Sequence, residues 1–158
     1  LMRNHGLVGR DECHMFAYNS RLDTIQAVVA RHLLEKINHI TESRVAHADY
    51  FDKELSSVSQ IIIPKRDADI YQVYHIYSIC CQRRNELQNY LIENGVDAKV
   101  HYPIPMHLQP AADYLGHEKG DFPIAETIAD NTISLPVHEF ISRDQQDHVI
   151  KLIKTFYD

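Results

Sequence analysis

Apolar residues fall along this chain in blocks whose spacing changes with position. Across NSRLDTIQAVVARHLLEKINHI, Leu22, Ile25, Val29, Leu33, Ile37 and Ile40 recur at intervals of three and four, and Val28 and Leu34 widen the stripe. That spacing lines one face of an α-helix. Ser20, followed three positions later by Asp23, reads as a capping box and sets the expected start. A long, largely buried helix is expected. TESRVAHADYFDKEL carries the stripe on through Phe51 and Leu55, so the helix either extends or bends near Asn38 and resumes.

The period then shortens. QIIIPK is a strand candidate ended by Pro64, KRDAD after it is a turn, and VYHIYSICC, rich in β-branched and aromatic residues, has the signature of a buried strand. RRNELQNYLIENG returns to helical spacing with Leu87, Tyr90 and Leu91 on one side, and Gly95 is placed to close it in a left-handed cap. DAKVHY reads as a short strand. PIPMHLQP is expected to be irregular, because Pro103 and Pro105 hold the backbone extended and remove donors. Pro123 suits a first helical turn, and TISLPV is a strand candidate. SRDQQDHVIKLIKTFY closes the chain as an amphipathic helix, capped by Ser142 with Gln145 and turning Val149, Leu152, Ile153 and Phe156 inward. The order predicts an α/β (α+β) layer: a small, mainly antiparallel sheet packed with helices and preceded by a long helix.

Composition narrows the classes. The 158 residues suit one domain of ordinary size, and a formal net charge of −6 without a basic stripe excludes the electrostatic footprint of a nucleic-acid binder. No apolar run is long enough to span a bilayer, and the first residues carry no apolar leader. A soluble protein is expected. Cys13, Cys80 and Cys81 show no ligand spacing and fit a reducing cytoplasm. LMRNHGLVGRDE puts Leu1 ahead of Met2 and holds no element-starting pattern, so it reads as a connection already in progress, the mark of a fragment.

Several stretches, in order, carry a resemblance: RNHG, YNSRLDTIQA, VYHIYSI, NGVDAKVHYPIPMHLQP, YLG with KGDFPIAETIA, and SLPVH before the final helix. Together they resemble the C-terminal half of the DegT/DnrJ-type nucleotide-sugar aminotransferases, pyridoxal-phosphate (PLP) enzymes of the aspartate-aminotransferase fold. The resemblance implies that residues 1–22 are the tail end of a large PLP domain and that 23–158 form the C-terminal small domain with its long interdomain helix. It also implies a homodimer with shared active sites. The family's catalytic lysine lies a short way before the RNHG segment. Lys36, Lys53, Lys65, Lys99, Lys119, Lys151 and Lys154 all stand outside that context. Covalent chemistry on the cofactor needs that amine, so the chain alone is expected to be catalytically silent.

By the same resemblance Asn19 reaches across the dimer to the PLP phosphate; read by itself, an asparagine before a helix start is a turn residue. Arg21 either clamps a substrate phosphate or carboxylate or pairs on the surface with Asp23 or Glu35. VHYPIPMHLQP resembles the family's loop beside the sugar-nucleotide pocket, and a proline-fixed backbone ordered in advance loses less entropy on binding. His101, Tyr102 and His107 would then meet the substrate. The competing reading packs one of these histidines in the core with a satisfied ring nitrogen. His101, His107 and His117 match no standard zinc spacing, so no metal is expected. His32, His39 and His47 read as solvated or partner-facing.

The parent chain is accordingly expected to move an amino group from an amino-acid donor, typically glutamate in this family, to a keto-sugar nucleotide. A PLP-dependent sugar dehydratase on the same scaffold and a non-catalytic sensory or regulatory relative remain as alternatives, because the position that separates them is not in this sequence.

Overall fold

Helix α1 (Thr24–Leu34) starts three residues later than the Ser20 cap would place it. Asp23 is the N-cap, and its amide donates to Gln26 Oε1 at 3.2 Å, the backbone half of a capping box. A carboxylate accepts the free amides of a first turn as well as a hydroxyl does. The expected burial is corrected too. No residue of α1 is buried, and Ile25 and Val29 are 76% and 55% exposed. The helix breaks at Glu35 and Lys36 and resumes as α2 (Ile37–Leu55), which buries Ala48, Phe51 and Leu55.

The computed structural model describes all residues from Leu1 to Asp158, and its contacts divide the chain into two units, Leu1–Asn38 and His39–Asp158. In the first unit the strand-like bridges Asn4 to Asn19 and Leu7 to Cys13 fold the opening segment back on itself. The His5 amide donates to the Tyr18 carbonyl at 3.0 Å, and that of Ser20 to the Arg3 carbonyl at 2.8 Å. Gly6 is required there: its φ is +73°, and a Cβ would stand 1.7 Å from the Met15 carbonyl oxygen.

The second unit is built on three antiparallel strands in the order β1 (Ile61–Ile62), β2 (Tyr77–Cys81), β3 (Thr132–Leu135). Ile61 pairs with Cys81, and Tyr77, Ser78, Ile79 and Cys80 face Leu135, Ser134, Ile133 and Thr132. VYHIYSICC is shorter as a strand than expected, because Tyr74 takes a left-handed φ of 47° and pairing begins only at Tyr77. DAKVHY is not a strand but a single bridge from Lys99 to Ser134; the left-handed Tyr102 and then Pro103 end the pairing. PIPMHLQP is not wholly irregular, since Met106–Leu108 form a 3-10 turn, followed by a second over Pro110–Leu115.

Helix α3 (Arg84–Glu93) ends as its glycine predicts, with Gly95 at φ +82° and the Val96 amide donating to the Leu91 carbonyl at 2.9 Å. Helix α4 (Pro123–Asn131) opens on its proline, and α5 (Arg143–Tyr157) carries the Ser142 and Gln145 capping box, with Gln145 N donating to Ser142 Oγ at 3.2 Å. Ile79, Ile133, Leu87, Leu91, Val149 and Ile153 pack with Phe51 and Leu55 into one core.

Polar pairs tie this core together at points that local patterns do not show. Asp52 on α2 accepts Arg66 through both its oxygens, at 2.9 and 3.0 Å, and the Tyr77 hydroxyl at 2.7 Å. Arg66 is therefore more than part of a turn, although the Asp69 amide on Asp67 Oδ1 does make the expected turn beside it. His47, expected to be solvated or partner-facing, bonds instead through Nδ1 to Gln146 Oε1 at 2.9 Å, and Gln146 Nε2 donates to the His47 carbonyl at 3.1 Å. Gln146 is fully buried, and both its side-chain oxygen and nitrogen have a partner. No helix is long and apolar enough to cross a membrane.

Candidate active-site elements

Two groups of the expected site residues emerge, one in each unit. In the first unit the backbone clasp between residues 3–5 and 18–20 sets Asn19 in an extended segment just ahead of α1. RNHG and YNSR are thus neighbours in space, with Gly6 allowing the close turn. Arg21 Nε donates to Asn19 Oδ1 at 3.1 Å, and Arg21 pairs with neither Asp23 nor Glu35. Tying the amide oxygen to a guanidinium leaves the Asn19 amino group as a donor, next to the positive charge of Arg21. An amide N–H with an adjacent guanidinium is a donor set suited to an anion, which fits the PLP phosphate that the resemblance assigns to Asn19 and the substrate phosphate or carboxylate that it assigns to Arg21.

In the second unit a cleft of about 940 Å³ opens beside β2 and β3, walled by the two 3-10 turns and α4. Its lining is mainly apolar, with Tyr102, Met106, Tyr114 and Phe122 exposed to it and few polar groups among them. That is the general character of a small-molecule site. His101, Tyr102 and His107 all line it, so three of the expected residues are brought together. Tyr102 is 79% exposed on a left-handed backbone, φ 56°.

The two histidines are held differently. His101 Nδ1 lies 2.9 Å from Ser134 Oγ, which in turn lies 2.9 Å from Ser78 Oγ. His107 Nε2 bonds Glu126 Oε1 at 3.0 Å with a side chain only 8% exposed, and the Phe122 ring lies 4.7 Å away. His107 thus matches the reading of a packed histidine with a satisfied ring nitrogen, although it still borders the cleft. His117 meets the Phe122 ring edge-on at 5.0 Å and faces Asp121 at 3.4 Å. Each of the three rings is engaged by a different partner.

Glu126 was invisible as a site residue in the sequence, yet it organises this wall. Besides His107, its carboxylate accepts the Gly120 amide at 2.8 and 3.0 Å and the Phe122 amide at 3.3 Å. Those bonds, led by Gly120, hold its carboxyl below the usual range. Asp121 is lowered in the same way, first by the Glu118 amide and then by His117. An acidic residue in the first turn of a helix entered through Gly, Asp, Phe and Pro was the available signal.

A small antiparallel sheet packed with helices fits the α/β fold of the C-terminal part of an aspartate-aminotransferase-like enzyme. Residues 1–154 match the DegT/DnrJ/EryC1/StrS aminotransferase family, and the chain belongs to it. It is 35% identical to the pleiotropic regulatory protein of Geobacillus stearothermophilus over 99% of this chain and 43% of that protein. With the dTDP-3-amino-3,4,6-trideoxy-alpha-D-glucose transaminase of Streptomyces venezuelae it shares 32% identity over 98% of this chain and 41% of that enzyme. Among solved structures, S. venezuelae DesV in complex with a ketimine intermediate superposes with a TM-score of 0.95 at 31% identity, over 99% of this chain and 42% of that one. The chain therefore spans about two fifths of the length of the relatives it matches. The family's enzymes are PLP-dependent aminotransferases.

Proposed function

We propose that this chain is the C-terminal portion of a PLP-dependent nucleotide-sugar aminotransferase. Residues 1–22 are the end of its large domain and 23–158 its small domain. The full-length enzyme is a cytoplasmic homodimer that takes an amino group from an amino-acid donor, glutamate by preference, and delivers it to a keto-sugar nucleotide for amino-sugar and cell-surface polysaccharide synthesis. The observation that carries this reading is the family match over residues 1–154, which takes in both Asn19 and the cleft. Relatives named as transaminases of dTDP- and UDP-linked sugars support the substrate class. Two relatives bear regulatory or sensory names, so a non-catalytic parent remains the second reading.

When bound, PLP supplies a carrier for the amino group and a sink for electrons. The lysine that joins it covalently lies outside this chain, so the chain alone is inactive. Asn19 would donate its amide N–H to the cofactor phosphate in the partner's site, and Arg21 beside it would clamp a phosphate or carboxylate of the substrate. His101 and Tyr102 face the sugar nucleotide, the histidine donating from Nε2 and the tyrosine covering the ring. His107, held by Glu126, fixes the wall behind them. The mainly apolar lining keeps water from the sugar.

The test uses the full-length enzyme and separate single turnovers of the two half-reactions. Asn19→Ala removes a hydrogen bond to a charged group, worth about 1.5 to 3 kcal/mol, so PLP affinity falls roughly ten-fold or more. His101→Ala slows the sugar half-reaction and leaves the amino-donor half nearly intact. Equal loss in every step together with lowered thermal stability in both variants would overturn the assignment.

A further inference from the structure

The His101 ring ends a chain of hydroxyls that comes out of the sheet. Ser134 is 4% exposed on β3, and its amide and carbonyl both pair with Lys99, at 2.7 and 3.0 Å. It faces Ser78 of β2 in register, with 2.9 Å between the two hydroxyl oxygens. Its hydroxyl is thus held between the Ser78 hydroxyl of the neighbouring strand and the imidazole. His101 stands two residues beyond Lys99, so the bridge that pairs with Ser134 also anchors the ring.

The direction of this chain decides which ring nitrogen carries the proton. A hydroxyl has one hydrogen to give. If His101 Nδ1 donated to Ser134, the Ser134 proton would go to Ser78, and the Ser78 proton would have to leave the chain of hydroxyls for the cleft that Ser78 also lines. Run the other way, Ser78 donates to Ser134 and Ser134 to His101 Nδ1, and every hydroxyl proton is placed. Nδ1 is then an acceptor, the ring proton sits on Nε2, and Nε2 has no partner on the protein.

We infer that Ser134, backed by Ser78, is a positioning residue that holds neutral His101 as its Nε2–H form and aims that N–H into the cleft as a hydrogen-bond donor. The consequence for binding rests on the reading of the cleft as the sugar-nucleotide site; the positioning of the ring does not. The bond partner of such a donor is an oxygen, a sugar carbonyl or hydroxyl or a phosphate oxygen. A lone-pair nitrogen at the same place would repel it.

The experiment labels histidine with ¹⁵N in the full-length protein, assigns His101 from the signals lost in His101→Gln, and reads its tautomer by long-range ¹H–¹⁵N correlation. Wild type should show a protonated Nε2 and an unprotonated Nδ1. Ser134→Ala should convert His101 to a mixture of tautomers and weaken binding of dTDP-glucose or UDP-glucose, followed by calorimetry, about five- to ten-fold, with PLP affinity unchanged. Ser78→Ala, at a half-buried residue, should do the same to a smaller degree and is the second variant should Ser134→Ala not fold. A wild-type ring protonated on Nδ1, or a tautomer indifferent to both serines, overturns the inference. If the tautomer shifts while neither sugar nucleotide binds even to wild type, the positioning stands and the reading of the cleft falls.

Discussion

Helices α1 and α5 carry the same kind of apolar stripe and meet opposite fates. In α5, Val149, Ile150 and Ile153 are buried and Leu152 and Phe156 pack against the core. In α1, Leu22 just ahead of it and Ile25, Val28, Val29, Leu33 and Leu34 along it are all exposed. Periodicity shows that a helix has an apolar face; it does not show that the chain carrying the helix also carries the cover for that face. A stripe of this length left open is the mark of a surface that belongs against something else.

The difference can be tested by removing matched side chains. Ile153→Ala takes a fully buried side chain from the core and should cost about 2 to 5 kcal/mol, read as a lowered urea midpoint for this chain. Val29→Ala in α1 should stay within about 0.5 kcal/mol. An equal loss from both would mean that α1 is covered after all. The caps give a finer version. Ser142→Ala leaves the first turn of α5 without its acceptor and should cost about 1 kcal/mol, whereas Asp23→Ala should fray α1, seen as lost helical circular dichroism, without moving the midpoint.

A third prediction concerns the cleft wall, which has no counterpart in α1. The Glu126 carboxyl is held below its ordinary value of 4.5, first by the Gly120 amide and less by His107. A lowered value in the folded state favours folding above the ordinary value, and that contribution disappears as pH falls through the lowered one. The urea midpoint of wild type should therefore decline below about pH 4.5, and Glu126→Gln should make that decline shallower, the remainder coming from Asp121 and the other carboxylates. An unchanged acid limb in the variant would show that Glu126 does not staple the wall.

Much of the fold could be read because its signals are local. Gly95 closing α3, Ser142 opening α5 and Pro123 starting α4 each act within a turn of their own position, and β2 is recognisable from its own composition. The polar ties could not, since each joins residues remote in sequence: Asp52 with Arg66 and Tyr77, His47 with Gln146, Ser134 with His101, His107 with Glu126. DAKVHY failed as a strand for a similar reason. Its residues have strand character, but pairing is decided by the left-handed turn at Tyr102. Of the candidate site, the family resemblance supplied Asn19, Arg21, His101, Tyr102 and His107, while the hydroxyl chain and the carboxylate that hold the histidines appear only once the elements are laid side by side.

The backbone at Tyr102 bears on how this sequence can drift. A tyrosine at φ 56° ahead of a proline sits where glycine would relieve about 1 kcal/mol or more of strain. Mutation filtered by folding alone would carry the position toward glycine, with nothing in the core to oppose it. A lineage that still makes use of the cleft has a reason to retain the ring, and one that has given up that use has none. On the proposed reading of the cleft, the residue at this single position would follow whether the cleft is still in service.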